Sequence, residues 1–136
     1  MASFNKFNSF VEAIAEGKHN LGSDQLKVAL SNTVPVATNS VLADIAEIDY
    51  SAGLSSRNIV TTSSSQTGGT YKLVLTDLEL LASGTLPAFR YVILYNDTAA
   101  NDELIGWFDN DIELILRSGD TFTLDMNPTT GILTLQ

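Results

Sequence analysis

The stretch "FRYVILYNDTAANDELIGWF", residues 89–108, constrains the fold of this chain more than any other. From Phe89 to Tyr95 every position is apolar or aromatic except Arg90. A strand in which both alternating faces are apolar belongs in the interior of a sandwich, where it is covered on two sides. The following "NDTAAND" has the composition of a hairpin loop, so Leu104 to Phe108 is expected to return beside the first strand. Such a strand needs cover above and below, and the remainder of the chain must supply it.

Ahead of it, Phe4, Phe7, Phe10, Val11 and Ile14 recur at helical spacing, with Asn5, Asn8, Glu12 and Glu16 on the other side and Gly17 as a stop. A helix of about three turns is marginal alone in water, so its phenylalanine stripe must dock, either on an open face or end of its own sheet or on a neighbouring subunit. After Gly22 the period changes to two: "LKVAL" sets Leu26, Val28 and Leu30 on one side and Lys27 and Ala29 on the other. Residues 32–50 carry Pro35 and many small polar residues, which predicts a long connection with a short strand or helical turn around Val41 to Ile48. "SRNIVTTSS" and "TYKLVLTDLELLA" read as two strands joined at "SSQTGG", where Gly68 and Gly69 accept positive φ. "IELIL", "TFTLDM" and "GILTL" add three short strands, punctuated by "RSGD" and "NPTTG". The expected architecture is mainly β: an antiparallel sandwich or jelly-roll-like barrel of about eight strands with one N-terminal α-helix. It forms a single domain over residues 1–136, with residues 1–20 a helical segment and 23–136 the β domain.

At 136 residues the chain can bury roughly two thirds of its unfolded surface, so it needs no staples, in keeping with its lack of cysteine. Sixteen acidic against seven basic residues give a net charge of −9, which repels a phosphate backbone and argues against nucleic acid as a partner. "MASFNKFNSFVEAIAEG" has neither the charge pattern nor the apolar run of a signal peptide or membrane span, so a cytoplasmic origin without membrane attachment is expected.

Few groups are available for catalysis. His19 is the only histidine and falls just past the expected helix end, where it reads as a cap or an exposed turn residue. No nucleophile elbow, phosphate loop or dinucleotide fingerprint is present, and the chain is not expected to be an enzyme or to hold a cofactor or metal. Two acidic groups remain, Asp97 with Asp102 and Glu103, and Asp109 with Asp111 and Glu113. Their spacing does not match a calcium loop, and turn chemistry explains them; a hydrolase would need two of these carboxyls facing each other across a cleft. Trp107 and Phe108, with Tyr91 and Tyr95 across the hairpin, are read as sheet packing, with a carbohydrate-stacking platform as the alternative. "NDT" at Asn96 matches a glycosylation sequon that has no secretion signal to give it weight. Arg57 and Arg90 each stand alone in apolar sequence and require a carboxylate or backbone partner, inside the subunit or across an interface.

The segments "FNSFVEAIAEGKHNLGSDQLKVALSNTVPVAT", "GLSSRNI", "GTYKLVLTDLELLASG", "FRYVILYNDTAANDELIGWF" and "GDTFTLDMNPTTGILTL" together resemble a family of small structural proteins of tailed bacteriophages. The resemblance covers nearly the whole chain. It implies a capsid decoration, or cement, protein that sits on the outer head surface of the virion, binds the major capsid protein and copies of itself as a dimer or trimer, and is made in the host cytoplasm. Small β domains also occur as tail, neck or head-fibre components that bind receptors or glycans, which is the alternative. The resemblance transfers no binding residue. The residues expected to touch partners are Phe4 and Phe7 on the helix, Arg57 and Arg90, and the connection over 32–50.

Overall fold

The structure, a computed structural model, describes residues 3–136. Its centre is β7 (Phe89–Asn96), in which every residue but Arg90 is buried. One neighbour is β2 (Leu26–Ser31), paired antiparallel from Leu26 opposite Asn96 to Ser31 opposite Tyr91. The other is β8 (Leu104–Leu114), which returns through the expected hairpin. Short strands complete a five-stranded sheet: β1 (Ser3–Lys6) pairs outside β8, and β3 (Asn58–Ile59) outside β2.

Pleating sorts the side chains of this sheet into two cores. Val92 and Leu94 of β7 join Leu26, Val28 and Leu30 of β2 on one face. That face packs on two smaller sheets, in an arrangement that resembles a β-sandwich with its second layer split. The first contains the hairpin of β4 (Thr61–Thr67) and β5 (Thr70–Leu75), with β10 (Leu133–Leu135) on its other side; the second pairs β6 (Leu78–Leu81) with β9 (Thr121–Leu124). Leu73, Leu75, Leu80, Leu124 and Leu133 supply the facing apolar surface. The opposite face of the large sheet carries Ala29, Tyr91, Ile93, Tyr95 and Leu104, and is closed by Phe7 and by Leu42 and Ile45 from the 32–50 connection.

The connection therefore lies on its own subunit. A 3-10 turn at Leu42–Asp44 seats Leu42, and backbone bonds from Ile48 N–H to Leu30 O (2.9 Å) and from Leu104 N–H to Ser40 O (3.0 Å) tie both ends to the sheet. The glycine turn also forms as expected, with φ of 58° at Gly68 and 86° at Gly69 joining β4 to β5. Both angles suit the right-handed twist of a tight hairpin.

Three expectations are corrected. The helix is shorter than its phenylalanine stripe: α1 is Asn8–Ala15, and Phe4 belongs to β1. The edge of β8 offers hydrogen-bond partners to residues 3–6, and Phe4 lies 5.0 Å, centroid to centroid, from Phe108. This approach depends on Gly106, where an added Cβ would stand 2.4 Å from the Phe4 ring. The first helical N–H, on Asn8, then donates to Ala37 O at 2.9 Å, so a distant carbonyl fills the role of a side-chain cap. Within α1, Phe10 enters the main core while Val11 is 59% exposed. The helix ends as expected at Gly17 (φ 76°), with Lys18 N–H closing on Ala13 O.

The second correction concerns "SRNIVTTSS", which divides between β3 and β4, and "TYKLVLTDLELLA", which divides between β5 and β6, each pair lying in two different sheets. Asp77 turns the chain between β5 and β6 and accepts the Met126 N–H through Oδ1 at 2.7 Å. The third concerns "IELIL", whose first residues prolong β8 beyond an irregularity at Asp109–Asp111, where Asp111 has φ 67°. The described residues thus form ten strands where about eight were expected.

Ile93 is fully buried within the core that faces the connection. Replacing it with Asp desolvates an unpaired charge there and should destabilise the fold by about 4 kcal/mol or more. Urea denaturation of Ile93→Asp against the parent measures this; an unchanged midpoint would refute the doubly buried position of β7.

Candidate functional site

The four residues expected to touch partners are occupied inside the subunit to different degrees. Phe7 links β1 to α1 in an extended conformation and is completely buried, with its ring centroid 4.6 Å from that of Trp107. Its ring is closed to any partner, which corrects its assignment as a contact. Phe4 is half-buried against the main core, so only part of its ring faces solvent.

Arg57 finds three partners along the outer edge of β2. Its Nη1 donates to Val28 O at 2.7 Å and lies 3.8 Å from Glu47 Oε1, and the guanidinium carbon is 4.1 Å from the centre of the Tyr50 ring. Tyr50 in turn donates its hydroxyl to Glu47 at 2.9 Å and accepts the Leu30 N–H at 2.9 Å. Burial drives the Tyr50 phenol well above its usual range, so it stays a neutral hydrogen-bonding post. This cluster joins the connection, β2 and the segment leading into β3.

Arg90 makes a two-pronged pair with Asp109: Nε to Oδ1 at 2.8 Å and Nη2 to Oδ2 at 3.1 Å. Asp109 Oδ1 also accepts the Asp111 N–H at 2.8 Å, so one carboxylate holds the irregular bend of β8 and anchors the arginine beside it. The Arg90 bonds, and then the Asp111 N–H, hold the Asp109 carboxyl below the ordinary carboxylate range. Of the two settings open to these arginines, the one inside the subunit is observed. Sequence gave no sign of Asp109 or Glu47 as the partners, because each pairing depends on which strands become neighbours.

The acidic groups do not converge. Glu103 is buried at the start of β8 and accepts the Asn101 N–H at 2.8 Å, while Asp109 to Glu113 lie further along the same strand. At about 3.3 Å per residue, Glu103 and Asp109 are roughly 20 Å apart, too far for a paired-carboxylate hydrolase centre. The aromatic platform is not formed either. Tyr91 and Tyr95 are 8% and 3% exposed, and Trp107 is half-buried beneath Phe7, so these rings are packing. Asn96 is wholly buried and unavailable as a glycan acceptor in the folded chain.

His19 is likewise corrected. It is 7% exposed, its ring 5.3 Å from that of Phe10, and Nδ1 faces Asn96 Nδ2 at 3.0 Å. The residue caps nothing and is part of the interior. It also borders an open hollow of about 540 Å³ with Ile14, Leu21, Ser64, Tyr71 and Leu135.

What remains exposed and apolar lies elsewhere. Val34 and Val36 on the connection are 59% and 55% exposed and Ile112 on the far half of β8 is 63% exposed, with Val60, Leu81 and Ile115 exposed at scattered positions besides Val11. Asn32 Nδ2 donates to Glu113 at 2.9 Å, which brings the start of the connection to that end of β8. The "VPV" triplet was the available signal in sequence, though nothing in it distinguishes an exposed valine from a buried one.

The Arg90 to Asp109 pair predicts an acid-side dependence. A carboxyl with a depressed folded pKa contributes stability that is complete above its unfolded value, 3.8, and is lost as pH falls through the folded one. The gap in stability between the parent and Asp109→Asn should be constant above pH 3.8 and shrink below it. Denaturant titrations across that range test this, and a gap independent of pH would refute it.

Comparison of the chain with known protein families, with curated proteins and with solved structures finds no match in any of the three.

Proposed function

We propose that this chain is a virion structural protein of a tailed bacteriophage: a capsid decoration protein that binds the outer head surface and stiffens the shell. The observation that carries this reading is the burial of β7 on both faces, because it devotes the aromatic and apolar residues of the most distinctive segment to internal packing. A molecule of this kind works by rigidity and adhesion and has no need of a reactive cleft. The whole-chain resemblance described above supports the same reading, and the net charge of −9 suits a position outside a shell filled with nucleic acid.

Attachment in this reading is multivalent. Copies of the chain, as a dimer or trimer at local symmetry axes, engage neighbouring capsid subunits so that modest individual contacts act together. Val34, Val36 and Ile112, exposed and apolar, are the side chains we assign to these contacts. A receptor- or glycan-binding module of the tail or fibre has less support, since Tyr91 and Tyr95 are packed inward.

Cryo-electron microscopy of the intact particle tests the proposal. Many symmetry-related copies on the outside of the head are expected. Density confined to the neck, tail or fibres would overturn the decoration role.

A further inference from the structure

His19 belongs to a hydrogen-bond network whose donors and acceptors determine one another. The amide of Asn96 is oriented by two backbone donors: Oδ1 accepts the N–H groups of Thr98 at 3.0 Å and Ala99 at 3.1 Å. A backbone N–H cannot accept, so the oxygen must face them and the NH2 must face the other way. One of its protons goes to Asp24 Oδ2 at 2.7 Å. The other points to His19 Nδ1 at 3.0 Å, so Nδ1 must be the unprotonated nitrogen. The imidazole is therefore neutral with its proton on Nε2, and Nε2 is buried without a partner among the described residues.

We propose that His19 is an acid-operated latch: the neutral imidazole holds the Lys18–Gln25 segment against the β7–β8 hairpin through Asn96, and protonation releases it. An imidazolium presents N–H at both ring nitrogens and would oppose one donor to another at Asn96. Asn96 could offer its oxygen only by rotating its amide, which abandons Thr98, Ala99 and Asp24 together. The same two segments meet at two further bonds, Gln25 N–H to Thr98 Oγ1 (2.8 Å) and Asp97 N–H to Gln25 O (2.9 Å), and Asp24 also accepts the Asn20 N–H at 2.8 Å. Loss of the Asn96 geometry therefore loosens the hairpin loop and the Asn20–Asp24 turn as a unit.

The charged groups facing the ring do not reverse this logic. Asp24, on the turn, and Glu103, at the start of β8, both favour the imidazolium, but burial outweighs them and lowers the His19 pKa below 6.5. From α1 the facing group is the Phe10 ring, and across the hollow the β4–β5 hairpin presents Tyr71. Lys18, next in sequence, shares a separate depression with Glu12, Glu16 and Glu103. Because the folded value lies below the unfolded one, the contribution of His19 is complete above pH 6.5. It declines as pH falls below 6.5 and levels off under the folded pKa.

Nitrogen-edited NMR of the labelled 136-residue chain is a direct test, because its one histidine gives one pair of ring-nitrogen signals. At neutral pH, Nδ1 should have the shift of an unprotonated nitrogen and Nε2 that of a protonated one. On acidification the ring should titrate with a midpoint below 6.5. The amides of Thr98, Ala99, Asn20 and Asp24 should follow the same midpoint and lose hydrogen-exchange protection, while those at Gly68 and Gly69 stay unchanged. A neutral ring protonated on Nδ1, a midpoint at or above 6.5, or unresponsive Thr98 and Ala99 amides would each overturn the latch. His19→Gln keeps an acceptor for Asn96 and cannot be protonated, so it should retain neutral-pH protection of the hairpin and lose its acid dependence. Acid loosening that persists in a folded Gln variant would also overturn the proposal, and if that variant does not fold the parent titration alone decides.

Discussion

Burial of β7 on both faces is the constraint on which the rest of the structure depends. A sheet with one wet face could have ended at the sandwich, with its second layer on one side only. Here the odd-numbered side chains Tyr91, Ile93 and Tyr95 needed cover as much as Val92 and Leu94 did. The chain meets that need by laying the 32–50 connection and Phe7, not a further sheet, across the second face. The connection is poor in regular structure because its work is done by a few anchors: Leu42, Ile45, and the Tyr50 cluster around Arg57. Its remaining backbone can then follow the sheet surface.

This arrangement also determines where contacts with other molecules can form. With both sheet faces enclosed, the large central sheet presents only strand edges, loops and the exposed sides of its covering segments. Arg57 and Arg90 are engaged, and the aromatic rings that looked most suited to recognition are packed. The side chains left for adhesion are aliphatic ones, Val34, Val36 and Ile112 among them, with Val11, Val60, Leu81 and Ile115 exposed elsewhere on the surface. Such groups give modest contacts that gain strength by repetition, as many identical copies on one scaffold would provide.

Elements governed by local chemistry were legible in the sequence. The apolar run of β7, the alternation of β2, the glycine pair after β4 and the stop at Gly17 all depend on neighbours a few residues away. Elements decided by distant neighbours were not. Residues 3–6 have the spacing of a helix, yet the free edge of β8, a hundred residues later, draws them into a strand. The run from Tyr71 to Ala82 looks continuous until Asp77 is seen holding Met126 from across the layer. His19 sits where a solvated cap is expected, and only the arrival of Asn96 and Phe10 makes it an interior residue. For the same reason the partners of the two arginines emerged only from the strand order.

The hairpin tip at Gly68 and Gly69 stands apart from all of this. Among the described residues, a side chain built at either position meets nothing within 4 Å, and neither glycine belongs to the core. The strands below it are registered by their own pairing and by Leu73 and Leu75 beneath. A foreign peptide grafted between the two glycines would project into open space while the scaffold kept its shape. That makes the tip the natural place to carry an epitope or an affinity handle.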